Sequence, residues 1–126
     1  SLNNFAVLLF AQERYREALV PLRTLVRDTT YRARDVAFEN LGLTELRLGQ
    51  QAEAQAAFTR ALSLNPDLPL SHLELADLAF KAGDLPTAAS HYDRFRALAR
   101  QFPRSLCLGI DLARAQGDAD QRASYE

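Results

Sequence analysis

The stretch from Asp35 to Leu68, DVAFENLGLTELRLGQQAEAQAAFTRALSLNPDL, restricts the possible folds more than any other part of the chain. Phe38, Leu41 and Gly42 stand in one arm, Ala54, Phe58 and Ala61 in the other, with Gly49 between them and Pro66 after them. Laid on a 34-residue helix–turn–helix template, these positions fall on two helices and the turn between them. Antiparallel helices approach closely only where small residues stand at the crossing, so Gly42, Ala54 and Ala61 predict the contact. Phe38, Leu41 and Phe58 fill the groove beside it. Gly49 predicts the turn, because a residue without a Cβ readily takes the left-handed backbone that ends a helix, and Pro66 cannot continue the second arm. One such hairpin leaves helix faces uncovered, so the pattern must recur.

It does recur. A shift of 34 residues brings Leu75, Ala76, Gly83, Ala88, Tyr92 and Phe95 to the places of Leu41, Gly42, Gly49, Ala54, Phe58 and Ala61. Asp84 is the expected N-cap of the next helix and Pro86 falls in its first turn. The stop at Pro103 predicts a helix about one turn longer than its counterpart. Upstream, Glu13 to Leu19 reads as another turn and helix start, with Ala18 equivalent to Ala54 and a two-residue insertion near Asp28 to Tyr31. The first helix is expected from about Leu2 to Gln12, and Pro21 should kink the second near Glu17. Downstream, Arg104 to Gln116 predicts a helix ended at Gly117-Asp118, with Ala119 to Glu126 opening another. There Gly109-Ile110 stands in for Leu41-Gly42, and Arg122 or Ala123 falls on the small-residue site.

This arrangement resembles the tetratricopeptide (TPR) repeat, a 34-residue helix–turn–helix unit. Glu45 is the signature position that departs, since the family usually carries tyrosine there. The resemblance implies an all-α, right-handed α-solenoid forming a single domain, with repeats at about 1–34, 35–68, 69–103 and an incomplete 104–126. Both ends cut through repeat structure, so a fragment of a longer protein is expected.

A net charge of −1, with 25% charged residues interspersed along the helices, argues against nucleic acid as a partner. The apolar run Phe5 to Ala11 is too short to span a bilayer and lacks the flanks of a signal peptide; a buried helix face is the expectation. Cys107 is the only cysteine, which excludes an internal disulfide and most cysteine-based metal sites. The sequence carries no glycine-rich phosphate loop, HExxH or GxSxG. His72 takes the first-helix aromatic position, where packing is the expected role, and His91 is expected at the surface. Asp77, Asp93 and Asp111 could pair for acid–base chemistry, but solvated helix faces supply the same pattern. No catalytic residue, cofactor, metal site or small-molecule substrate is expected.

In this repeat family the first helices line a concave surface. Its template positions fall on Asn3, Val7, Phe10 and Ala11; on Val36, Glu39, Asn40, Leu43, Leu46 and Arg47; on Leu70, Leu73, Glu74, Asp77, Phe80 and Lys81; and on Arg104, Cys107, Asp111 and Arg114. An apolar stripe rimmed by charge suits a helix or an extended peptide of another protein. The alternative is that Leu43, Leu46 and Phe80 pack between repeats. A carboxylate clamp of the chaperone-binding kind is not expected, because its basic sites fall on Asn3, Leu70 and Glu74, and only Asn40 fits.

The stretches between signature positions resemble the type IV pilus biogenesis lipoproteins PilF and PilW, which act as pilotins. The resemblance rests on Leu2-Asn3-Asn4-Phe5, Asp28-Thr29-Thr30-Tyr31, Phe38-Glu39-Asn40-Leu41-Gly42-Leu43, Leu73-Glu74-Leu75-Ala76-Asp77-Leu78, His91-Tyr92-Asp93, Arg104-Ser105-Leu106, Leu108-Gly109-Ile110 and Ala123-Ser124-Tyr125. It implies a six-repeat protein of which this chain is the later part. It further implies a lipid on an N-terminal cysteine at the periplasmic face of the outer membrane, and a role in assembling the secretin PilQ. Cys107 is not that cysteine. The alternatives are a generic TPR adaptor of the cytoplasm or periplasm, and the TPR part of a larger enzyme.

Overall fold

The computed structural model describes residues 1–125, and Glu126, the last residue of the helix expected to open at Ala119, lies outside them. Among the described residues there are seven α-helices and no strand: α1 (Leu2–Ala11), α2 (Tyr15–Arg27), α3 (Arg34–Arg47), α4 (Gln51–Leu64), α5 (Pro69–Lys81), α6 (Leu85–Leu98) and α7 (Pro103–Tyr125). The fold class is all-α, built of helical hairpins. The chain divides into two compact units, Ser1–Ser71 and His72–Glu126.

Three hairpin turns share one construction. After α1, α3 and α5 a residue takes positive φ: Glu13 at 61°, Gly49 at 76° and Gly83 at 81°. Its N–H reaches the carbonyl three residues back, and the next N–H reaches five back: Arg14 to Leu9, Gln50 to Glu45 and Asp84 to Ala79, each at 2.9 Å. This paired closure satisfies carbonyls that the helix end would otherwise leave open. Glycine takes the conformation without strain at two of the turns, whereas Glu13 holds it against its own Cβ.

In the first unit α1 packs on α2, α2 on α3, and α3 on α4. The buried core gathers Ala6, Leu19, Leu22, Leu25, Val26, Ala37, Leu41 and Ala57, with Tyr31, Phe38 and Leu48 against it. The α3–α4 crossing is closed as the small residues require: a Cβ on Gly42 would stand 2.8 Å from the Phe58 ring, and Ala54, Phe58 and Ala61 are fully buried. The two-residue insertion is present, since Asp28 to Ala33 makes six linking residues against four from Asn65 to Leu68. Asp28 turns it by accepting from the backbone N–H and the hydroxyl of Thr30, at 3.0 and 2.6 Å. α4 stops at Asn65, which is extended before Pro66. The apolar run of α1 is only partly buried. Ala6 and Leu9 face the core, while Phe5, Val7 and Leu8 are about half exposed, because α1 is apolar on all sides and packs on one.

In the second unit Asp84 caps α6 as expected, accepting from the Thr87 N–H at 3.3 Å, with Pro86 in the first turn. The sequence expectation of a longer α6 is not met: α4 and α6 are both 14 residues. Ala99 is extended, and the link to α7 is locked by other bonds. Ser105 donates to Gln101 Oε1 at 2.7 Å and accepts from the Phe102 N–H at 2.8 Å, while the Phe102 ring meets Phe95 edge-on at 5.9 Å. These contacts supply what another helical turn would have offered.

The expected helix end at Gly117-Asp118 is also absent. α7 is one helix of 23 residues. Gly117 has no neighbour within 4 Å of a would-be Cβ, and the Gln116 side-chain amide donates to Asp120 at 3.1 Å across it. α7 meets α6 through Gly109, where a Cβ would lie 2.8 Å from Cζ of Tyr92. Ile110, which the 34-residue register puts at the Gly42 site, is 57% exposed, because α7 runs straight on rather than folding a partner back over it.

Candidate protein-binding site

The expected surface residues fall into two chemically different sets, one in each unit. In the first, α1 brings Val7 and Phe10, and α3 brings Asn40 and Leu43, to the wall of one pocket of about 90 Å³. Residues three and four apart share a helix face, which is why these positions meet. Ala6, Leu22 and Thr44 complete the lining. Thr44 lies one turn beyond Asn40 and was legible from helical spacing; Leu22 comes from α2 and was not.

The polar groups around this pocket are few. The Asn40 amide donates to Asn3 Oδ1 at 3.5 Å, the long limit of a hydrogen bond, and the Thr44 hydroxyl is held by the Asn40 carbonyl at 2.8 Å. Arg47 is exposed, its guanidinium 5.5 Å from the centre of the Phe10 ring. Phe10 in turn meets Tyr15 edge-on at 5.2 Å. Leu70 is half-buried. Glu39 serves the fold: its carboxylate accepts from the Ser71 N–H and hydroxyl, at 3.1 and 2.7 Å, in the first turn of α5. A negative group is stabilised at that end of a helix.

In the second unit the expected residues satisfy one another. Glu74 is 4% exposed and receives two bonds from the Arg104 guanidinium, at 2.5 and 2.8 Å. Asp77 pairs with Lys81 at 3.0 Å and stands 3.8 Å from Arg104. Donating to Glu74 raises the affinity of Arg104 for its proton. Two carboxylates and two cations thus cancel locally. Leu73 is fully buried and serves packing, which corrects its reading as a docking position. Asp111, Cys107 and Arg114 are exposed.

Three further titratable groups stand out. Glu45 is 6% exposed, and its Oε1 has no hydrogen-bond partner. Burial pushes its carboxyl above the usual range, with Arg23 opposing and Glu53 adding to the rise. His72 is buried as expected. His91, expected at the surface, is half-buried with its Nδ1 3.0 Å from that of His72, because α6 turns this residue toward α5. Burial, and then the neighbouring ring, hold His91 below the ordinary histidine value. Among the described residues no three potential ligands gather as a metal site, and no helix is long and apolar enough to cross a membrane.

Residues 36–68 match the family model of the tetratricopeptide repeat. The type IV pilus assembly protein PilF of Pseudomonas aeruginosa is 42% identical over 124 residues, which are 98% of this chain and 49% of that protein. The chain therefore spans about half the length of the curated relative it matches. A solved structure from the functional characterization of Pseudomonas aeruginosa PilF superposes with a TM-score of 0.89 at 42% identity, covering 98% of this chain and 56% of that one. The crystal structure of PilW, described as a widely conserved type IV pilus biogenesis factor, gives 0.77 at 27% identity, covering 98% and 57%. The chain thus carries a tetratricopeptide repeat at residues 36–68 within an all-α fold of helical hairpins, and over nearly its whole length it is similar to the type IV pilus biogenesis proteins PilF and PilW.

Proposed function

We propose that this chain is part of a non-enzymatic scaffold of type IV pilus biogenesis. It acts as a pilotin that helps the secretin PilQ assemble at the periplasmic face of the outer membrane. The observation that carries this reading is the 42% identity to a pilus assembly protein across 98% of the chain. The pocket between α1 and α3 supports it, since an apolar recess beside a few polar groups suits a protein partner. Of the expected surface residues, Asn3, Val7, Phe10, Asn40, Leu43 and Arg47 are the proposed contacts. Attachment to the membrane would rest on a lipid carried elsewhere in the protein. Deleting the gene should abolish PilQ multimers and twitching motility, and complementation should restore both. Unchanged multimers in the deletion strain would refute the assignment.

A further inference from the structure

The pocket in the first unit has a shape and polarity that select among partners. We infer that it takes an extended segment of a partner protein, with one aliphatic side chain in the pocket and an acidic residue beside it. The inference rests on the scaffold reading and adds the chemistry of the ligand.

Three observations carry it. First, about 90 Å³ is less than the 150 Å³ apolar cavity known to accept benzene, so the recess fits one aliphatic side chain better than an aromatic ring. Its lining by Ala6, Val7, Phe10, Leu22 and Leu43 rewards an apolar occupant. Second, Asn3 and Asn40 meet only through a 3.5 Å contact, which leaves amide donors and acceptors at the pocket for a new partner. An extended main chain carries unpaired N–H and C=O groups to meet them. A helix has consumed its own, and docking one there would bury the amides unsatisfied. Third, Arg47 stands exposed beside Phe10 and makes no ion pair among the described residues. A carboxylate next to the aliphatic anchor gains a planar two-pronged donor at the rim. The ion network of Glu74, Asp77, Lys81 and Arg104 offers no such free charge.

The test is a titration of the isotope-labelled chain with synthetic ten-residue peptides, followed by nuclear magnetic resonance. The peptides are Gly/Ser-rich, with a central leucine flanked by aspartates. In the controls the leucine is replaced by serine, or the aspartates by lysines. The leucine–aspartate peptide should shift the side-chain amides of Asn3 and Asn40 and the methyls of Leu43 at millimolar concentration. Replacing either feature should weaken binding about tenfold, and Arg47→Glu should reverse the charge preference. Val7→Asp, at a half-exposed position, should also weaken binding while leaving the helical circular dichroism intact. Indifference to charge or to the leucine, shifts confined to the second unit, or no shift at all would overturn the inference. Shifts at the same residues that depend on protein concentration without peptide would overturn it in favour of a second copy. Failure here is separable from failure of the pilotin reading. If the gene deletion abolishes PilQ multimers and Arg47→Glu and Val7→Asp restore them fully, the pocket inference and the contacts proposed there are lost while the pilotin reading stands.

Discussion

Replacing Glu45 with methionine should make the protein more stable at neutral pH. The side chain is 6% exposed on α3, its Oε1 has no partner, and Glu53 opposes its charge from α4. Leaving a buried acceptor unsatisfied costs about 1–3 kcal/mol, and more when the group is ionised. Methionine keeps the straight stem and helix propensity of glutamate, fills irregular space and removes both the charge and the orphaned oxygen. A gain of about 2 kcal/mol, or about 8 °C in Tm for a chain of this length, is the expectation for Glu45→Met. The pH dependence checks the cause. Because the folded-state value lies above the ordinary 4.5, the folded chain binds the proton more tightly than the unfolded one. The stability of the native protein therefore falls as pH rises from 4.5 through the raised value, and the whole penalty is present above it. Thermal melts of both proteins at neutral pH and in steps down towards 4.5 should show the gap closing on the acid side. A less stable variant at neutral pH, or a gap indifferent to pH, would refute the reasoning.

Other substitutions probe the backbone and the second unit. Glu13→Gly should raise stability by about 1 kcal/mol by relieving the left-handed turn, and Gly117→Ala by about 0.5–1 kcal/mol, because that glycine lies inside a helix with open space around it. Destabilisation by Gly117→Ala in a urea melt would instead favour a turn at that point. Arg104→Ala should cost about 2 kcal/mol by leaving the buried Glu74 carboxylate unpaired, the half-exposed arginine moderating the loss, as read by chemical denaturation. His91, held below its ordinary 6.5, favours the neutral ring in the folded state. Its contribution is complete above 6.5 and is lost as pH falls through the interval down to the depressed value, so His91→Leu should flatten the melting temperature across that interval.

The hairpins were legible because their causes are local. Gly49 and Gly83 take positive φ, Asp84 caps its own helix, Pro66 follows a helix end, and Gly42 meets Phe58 within one repeat. Each of these depends on neighbours a few residues away or on a partner whose distance the repeat length prescribes. The turn at Glu13 was placed correctly from its register even though glutamate is a poor residue for it. Val7, Phe10, Asn40 and Leu43 share the wall of one pocket because helix periodicity puts each pair on a single face of its helix.

What could not be read from residue order is how competing partners share out the same groups. Gly117 has the residue type of a turn, yet it continues a helix, because nothing packs there to reward reversal and Gln116 reaches Asp120 instead. α6 stops at Leu98 because Gln101, Phe102 and Ser105 bond among themselves and with Tyr92 and Phe95. Glu74, Asp77, Lys81 and Arg104 read as a charged surface ready for a ligand, and three-dimensional proximity spends them on one another. Local order along the chain dictates repeat length, turns and crossings, since their energies are short-ranged. The availability of a charge or a recess to another molecule was decided by folding, since it depends on which distant side chains the packed helices bring within hydrogen-bonding distance.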